Sequence, residues 1–204
     1  MKSREVRAFN FEVRAERDEE KGDYIVGRPI VYDSVTDIGK FREVIEKGAL
    51  DGADLKDVPF FVNHNIDMIP LARSRNNNEN STMQLQVDDD GMVIRAELDT
   101  ERNKDAKALY SAVERGDIEG MSFMFGDVID EWSEMEEEKP LRTIKKLKKI
   151  FEVSAVSYPA YESTSLEARS MTDVLESARA SLESEKRQAE RTVLIEKLKK
   201  VRGE

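Results

Sequence analysis

Apolar and polar residues alternate along much of the first 160 residues, and this period of two predicts strands rather than helices. The segment REVRAFNFEVRAE is a clear case, because Phe9, Phe11 and Val13 fall on one face of a single predicted strand. In TMQLQVDDDGMVIRAEL, two alternating stretches flank an Asp-Gly pair, which predicts a hairpin. Further predicted strands are YIVGRPIVYDS, with a bulge or edge position at Gly27 and Pro29, DVPFFVNH, IEGMSFMFGDVIDEW and IFEVSAVSYPAY.

Two segments have helical spacing instead. NKDAKALYSAVERG repeats apolar residues at i, i+3, i+4 and i+7, with Asn103 as the predicted cap and Gly116 at the end. From about Glu167 the chain lacks proline and is rich in helix formers, which predicts a helical tail that packs weakly or binds a partner. We therefore predict a mainly β fold with helices (α+β), with a β-barrel domain over residues 1–167 and a helical tail over 168–204.

Composition narrows the possible functions. The net charge of −10 argues against a general nucleic-acid binder, which would carry a basic stripe. Cysteine is absent, so the chain has no disulfide, thiolate nucleophile or cysteine metal site. Its apolar runs are shorter than the roughly 20 residues of a membrane span, and the first residues lack the apolar core of a secretion signal.

Three residues stand where hydrolytic chemistry could use them. His64 is the only histidine and follows the apolar strand PFFV, and imidazole titrates near neutral pH. Ser122 lies inside the apolar strand EGMSFMF, where a buried hydroxyl needs a hydrogen-bond partner. Glu152 lies between Phe151 and Val153, where a carboxylate is costly to bury unless it is paired.

Each of the three also has an ordinary structural interpretation. His64 can be a satisfied polar residue at a strand end, Ser122 can donate to a nearby carbonyl, and Glu152 can lie on the solvent face. A metal hydrolase is a further alternative, but one histidine and no cysteine leave mainly carboxylates, which suit magnesium or calcium better than zinc. The acidic loop SEMEEEKP is expected to be a solvated hairpin tip.

The segments around these residues resemble, in this order, the tailed-bacteriophage prohead serine proteases, which are related to assemblin, the herpesvirus maturation protease. The resemblance covers about residues 5–169. It depends on GRPIVYDS, FREVIEKGAL, FVNHNIDMIPLARS, GDIEGMSFMF and FEVSAVSYPAYESTSLEAR. The order of the segments is the specific part, with the histidine first, the serine second and the glutamate last.

The resemblance implies a closed or nearly closed β-barrel with surrounding helices, and a serine endopeptidase with His64 as general base and Ser122 as nucleophile. Glu152 is the positional match for the third member of the triad, which is a second histidine in the herpesvirus relatives. Asp67 is a rival for that role, because many family members have an aspartate directly after the histidine, where this chain has Asn65. The oxyanion-hole donors stay open between backbone amides after the Glu152 strand and an arginine such as Arg73.

The implied substrates are the major capsid protein and scaffold segments, and in some members the protease itself. Self-association is expected, without nucleic acid, membrane, cofactor or metal. The implied location is the host cytoplasm, inside the immature phage head. A catalytically inactive head-assembly or scaffolding protein is the alternative, and the position of the Ser122 hydroxyl relative to the His64 ring distinguishes the two.

Overall fold

The computed structural model describes residues 4–9, 13–20, 22–157 and 165–202. The elements follow one another as β1 Arg4–Phe9, β2 Val13–Asp18, β3 Gly22–Val31, β4 Thr36–Asp37, β5 Arg42–Ile45, β6 Pro59–Val62, β7 Ala72–Arg73, a 3-10 turn Arg75–Asn77, β8 Met83–Asp88, β9 Gly91–Leu98, α1 Lys104–Glu114, β10 Gly120–Ser133, β11 Leu141–Val156 and α2 Ser165–Arg202. The fold is therefore mainly β with helices, as predicted.

The larger sheet contains seven strands and is built on the long hairpin of β10 and β11. β1 pairs with the outer edge of β10. On the other side, β11 pairs in parallel with β5 near its start and with β6 near its end. The second pairing sets Phe60–Val62 beside Val153–Ala155, so the chain leaves β6 next to the end of β11.

The smaller sheet has four antiparallel strands in the order β2-β3-β9-β8. The predicted hairpin is confirmed as β8 and β9, and the register of β3 against β9 shifts between Gly27 and Ile30, where the sequence predicts a bulge. Gly91 opens β9 at φ 138°, and a Cβ there would lie 2.0 Å from the carbonyl oxygen of Ile30. Only glycine fits this close approach of two backbones.

Both sheets contribute to one apolar core, which α1 also covers. The predicted stripe of this helix is confirmed, since Ala106, Leu109, Tyr110 and Val113 are all buried. Asn103 caps the helix, because its side-chain oxygen accepts hydrogen bonds from the backbone amides of residues 105 and 106.

Closure of the strands into a barrel is not supported, because the described strands hydrogen-bond into two separate sheets. The predicted first strand, REVRAFNFEVRAE, shows why. Its first part, Arg4–Phe9, pairs with β10 in the larger sheet, whereas Val13–Asp18 pairs with β3 in the smaller one. Treating the segment as one strand was therefore wrong, and the side chains of Phe9 and Phe11 lie outside what the structure describes.

Helix α2 confirms the predicted helical tail. Leu175 is buried, but every side chain from Glu183 to Lys197 is exposed, including the apolar Val193, Leu194 and Ile195. Within the described residues, neither helix combines the length and the hydropathy that crossing a membrane requires.

A cluster of charged side chains, the ion cluster, is buried in the larger sheet. Its members Glu5, Arg7, Glu43 and Arg142 are each at most 4% exposed. Arg7 contacts Glu43 at 2.6 Å and Glu5 at 2.8 Å, and Arg142 contacts Glu5 at 2.5 Å and Glu43 at 3.0 Å. Asp130, at the edge of the cluster, pairs with Arg142 at 2.5 Å. Two guanidinium groups thus join β1, β5 and β11 through two shared carboxylates.

Candidate active site

His64 lies in a tight turn at the end of β6. Asn63 and His64 both have positive φ, at 50° and 57°, a conformation that non-glycine residues adopt infrequently. The turn is fastened to β11 and the residue after it, because the Asn63 amide donates to the carbonyl of Ala155 at 2.9 Å and the Ser157 amide donates to Asn63 Oδ1 at 3.0 Å. These contacts hold the histidine over the end of β11.

The His64 ring is hydrogen-bonded to Glu152. The distance from Nδ1 to Oε1 is 2.5 Å, and Glu152 is only 2% exposed. The solvent-face interpretation of this glutamate is therefore wrong. The other carboxylate oxygen accepts a hydrogen bond from Ser154 Oγ at 2.7 Å, and Ser154 Oγ in turn accepts one from the His64 amide at 3.2 Å. The buried carboxylate is thus fixed on both oxygens.

This pairing determines which nitrogen of the imidazole can act as a base. When the Nδ1–H group donates a hydrogen bond to the Glu152 carboxylate, the neutral ring has its lone pair on Nε2. Nε2 of His64 is buried and has no hydrogen-bond partner within the described parts of the chain. A buried acceptor without a donor is unusual, and it is what a general base needs before substrate binds.

Ser122 lies near the start of β10, between β1 and β11, and is fully buried. It is directly opposite Ser154 in the register of β10 and β11, and directly opposite residues of an antiparallel pair point to the same face with Cβ atoms about 5 Å apart. Ser122 therefore shares a face with Glu152 and its bound imidazole. Its hydroxyl, however, donates to the carbonyl of Arg7 on β1 at 2.7 Å and not to His64.

The rival candidates lie in other settings. Asp67 is exposed, and its amide donates to Asn65 Oδ1 at 3.3 Å, while Nδ1 of His64 is already bound to Glu152. Arg73 points to Asp57, at 2.6 Å, so its guanidinium is already paired. No group of acidic or histidine side chains that could hold a metal ion occurs within the described ranges.

Two residues of this site had no role in the sequence analysis. Ser154 forms hydrogen bonds with Glu152 and with the His64 amide. The sequence could have predicted its closeness to Glu152, because residues i and i+2 of a strand lie on the same face. Nothing in the sequence pointed to the carbonyl of Arg7, because its contact with Ser122 joins residues that are 115 positions apart in the chain.

Comparisons with known proteins identify the family of the chain. The family model described as caudovirus prohead serine protease matches residues 9–177. Among solved structures, the capsid assembly protease of bacteriophage T4 is similar, with 14% sequence identity and a TM-score of 0.40 over 76% of this chain and 99% of that chain. No curated protein matches the sequence. Because the family model matches most of the length of the chain, the chain belongs to the caudovirus prohead serine protease family.

Proposed function

We propose that this protein is a serine endopeptidase in which Ser122 is the nucleophile, His64 the general base and Glu152 the residue that orients the base. The observation that carries the proposal is the 2.5 Å contact between His64 Nδ1 and Glu152, which leaves a buried Nε2 with no partner in the described chain. Family membership supports the reaction class, and the shared face of Ser122, Ser154 and Glu152 supports the assignment of residues.

The proposed reaction follows from these positions. The Ser122 hydroxyl turns from the Arg7 carbonyl towards Nε2, and its oxygen attacks the scissile carbonyl as Nε2 takes the proton. The Glu152 carboxylate stabilises the resulting imidazolium, which then gives the proton to the leaving amine. A water molecule attacks the acyl-enzyme by the same route, releasing the second product and restoring the serine.

In this proposal the described structure is the resting state of the enzyme, because the Ser122 hydroxyl donates to the Arg7 carbonyl and not to His64. A neutral hydrogen bond of this kind contributes about 1 kcal/mol, so turning the hydroxyl to Nε2 is a modest cost when the imidazole offers an alternative acceptor. Because Nε2 of His64 is buried and has no other hydrogen-bond partner among the described residues, the turned hydroxyl would satisfy it.

A serine-reactive fluorophosphonate tests the assignment without knowledge of the substrate. The wild-type chain should take up one label, located at Ser122 by peptide mass spectrometry. Ser122→Ala and His64→Ala should abolish labelling, and combining them should add no further loss, because the two residues act as a unit. Ser181→Ala, a change on α2, is the matched control and should label normally. Persistent labelling of Ser122→Ala would remove this serine from the role.

An inactive assembly protein is the second candidate, and one observation favours it. Ser122 is fully buried and its proton is already donated to Arg7. On this reading the hydroxyl only joins β1 to β10, and no labelling of Ser122 is expected under native conditions. The fluorophosphonate experiment therefore separates the two functions.

We further propose that the substrates are capsid and scaffold proteins, cleaved in the prohead within the host cell, and that the protease associates with itself there. Co-expression of a candidate capsid protein with wild type or Ser122→Ala, followed by intact-mass measurement, tests the substrate assignment. Loss of a defined terminal segment only with wild type is the expected result. The same measurement on the protease reveals self-cleavage.

The tail, residues 168–204, is proposed to target the protease to the assembling head, and the distal part of α2 is the part of it that is exposed. Its exposed side chains include Val193, Leu194 and Ile195, and an isolated helix of this kind is only marginally stable in water. A chain truncated after Glu185 keeps the buried Leu175, and should cleave peptides normally yet enter proheads poorly. Normal packaging of the truncated chain would contradict targeting.

A further inference from the structure

Two isoleucines in the loop that carries His64 are exposed to solvent. Ile66 is 61% exposed and Ile69 is 82% exposed, and both belong to the segment between β6 and β7, residues 63–71, here called the histidine loop. Single exposed apolar residues are common on protein surfaces and need no explanation. Two exposed isoleucines on one short loop, next to a candidate catalytic base, are less common and suggest a binding surface.

The exposure does not come from an unstructured loop. Backbone hydrogen bonds fix its shape, from the Asn65 amide to the Val62 carbonyl at 3.1 Å, from Ile66 to His64 at 2.9 Å and from Met68 to Asn65 at 3.2 Å. Met68 packs against the core, and the loop is therefore anchored by a different side chain. Ile66 and Ile69 are not among the side chains that pack against the core.

We propose that Ile66 and Ile69 bind an apolar side chain of the polypeptide that is cleaved, so that the substrates are segments with an apolar residue close to the scissile bond. This inference rests on the proposed function. Ile66 is two residues from His64, and an extended peptide advances about 3.3 Å per residue, so side chains two to four residues from the scissile bond can reach the loop.

Charge on the same loop refines the substrate class. Asp67 is exposed and lies in the chain between the two isoleucines, so its negative charge is close to whatever binds them. An acidic substrate side chain at this position would meet a like charge beside an apolar surface. We therefore expect the site to accept leucine-like side chains and to reject aspartate and glutamate.

The test compares the full-length wild type with the double variant Ile66→Ser/Ile69→Ser. The control is Val87→Ser/Ile129→Ser, which removes two other exposed apolar side chains. Ile129 lies seven residues along β10 from Ser122, about 23 Å at the rise of a strand. An unbiased peptide library, read by mass spectrometry on both sides of each cut, first gives the preferred apolar position.

Matched peptides with Leu, Ser or Asp at that position then give kcat/KM for each protein. Burying one aliphatic side chain corresponds to about a tenfold to hundredfold effect on binding. Wild type and control should prefer Leu over Ser at least tenfold and reject Asp most strongly, whereas the loop variant should show a preference below about threefold. Fluorophosphonate labelling of Ser122 should be equal in all three proteins, because the label does not reach the loop.

The possible outcomes separate this inference from the function on which it rests. A wild type that neither labels nor cleaves overturns both. A wild type that labels and cleaves, with a Leu preference that the loop variant retains, overturns the inference alone. An equal loss of kcat/KM for the Leu, Ser and Asp peptides in the loop variant also overturns the inference. So does a change in the oligomeric state of the loop variant, measured by light scattering, without a change in preference. That last result would indicate that a second copy of the chain binds this surface.

Discussion

Replacing Arg7 by Met should strongly destabilise the protein, because it leaves buried carboxylates with too few cations. In the ion cluster, Glu5 and Glu43 share Arg7 and Arg142, and all four side chains are between 1% and 4% exposed. Without Arg7, two buried carboxylates face the single guanidinium of Arg142, which also pairs with Asp130. Removing one partner of a buried ion pair typically costs about 3–5 kcal/mol.

Urea unfolding at pH 7 measures this loss through the fluorescence of Trp132, the only tryptophan, whose ring lies 5.9 Å from the Arg142 guanidinium carbon. For a chain of this size, about 3–5 kcal/mol corresponds to a melting temperature lower by roughly 6–20 °C. Circular dichroism should give the same transition, which checks that unfolding is two-state.

The double variant Arg7→Met/Glu43→Leu is the matched control. It removes one cation and one anion and leaves Glu5 and Arg142 as a bidentate pair, with contacts of 2.5 and 3.0 Å. The double variant should therefore be more stable than Arg7→Met alone, by about 1 kcal/mol or more. The reasoning would be refuted if the double variant lost as much unfolding free energy as Arg7→Met and Glu43→Leu lose together as single variants. A loss below about 1 kcal/mol for Arg7→Met would also refute it.

The pH dependence gives a second check. Burial raises the pKa of Glu5, but the hydrogen bond from Arg142 and the charges of Arg7 and Arg142 outweigh it, so the pKa lies below its usual value. A lowered pKa contributes stability above the pKa of the unfolded state, about 4.3, and that stability is lost as pH falls through the folded value. Arg7→Met removes part of this contribution, so the difference in unfolding free energy between wild type and variant should stay constant from pH 7 to about 5 and narrow as the pH falls below about 4.3.

Three further predictions concern the site and the smaller sheet. Ser154→Ala removes the hydroxyl that bonds Glu152 and should lower kcat about 10- to 100-fold with little change in KM; an equal rise in KM would point to a binding role instead. Glu152→Gln should keep a small residual activity, about 10³-fold or more below wild type, and full activity would remove Glu152 from the proposed triad. Gly91→Ala should lower the melting temperature by roughly 2–12 °C, and more than Gly39→Ala, which shares a positive φ but meets no atom within 4 Å; equal losses would show that φ alone matters.

The sequence predicted well those elements whose signals are local. The hairpin of β8 and β9 follows from alternation around Asp90 and Gly91, and α1 from its apolar spacing and its Asn103 cap. Neighbouring residues determine both, so no distant contact was needed to recognise them.

The predictions failed or stayed open where distant contacts decide. The segment around β1 and β2 alternates as one strand, yet its two parts pair in different sheets. Alternation permitted Glu152 to face solvent, whereas in the structure it is buried and paired with Ser154 and with His64, 88 residues away. In the same way, Glu5 and Arg7 have the composition of an exposed strand face and are buried only because Glu43 and Arg142 neutralise them.

The pairing of β1 with β10 also has a consequence for the order in which the protein can mature during synthesis. The candidate site needs β6, β10 and β11, and the carbonyl that receives the Ser122 proton belongs to β1, more than a hundred residues earlier. At about 5–20 residues per second, a ribosome takes roughly 7–30 s to go from Arg7 to the end of β11. For most of that interval the strand with Arg7 lacks its partner β10, and nearly until its end His64 lacks Glu152. A nascent chain of this protein therefore has no assembled candidate site until nearly the whole larger sheet has been made.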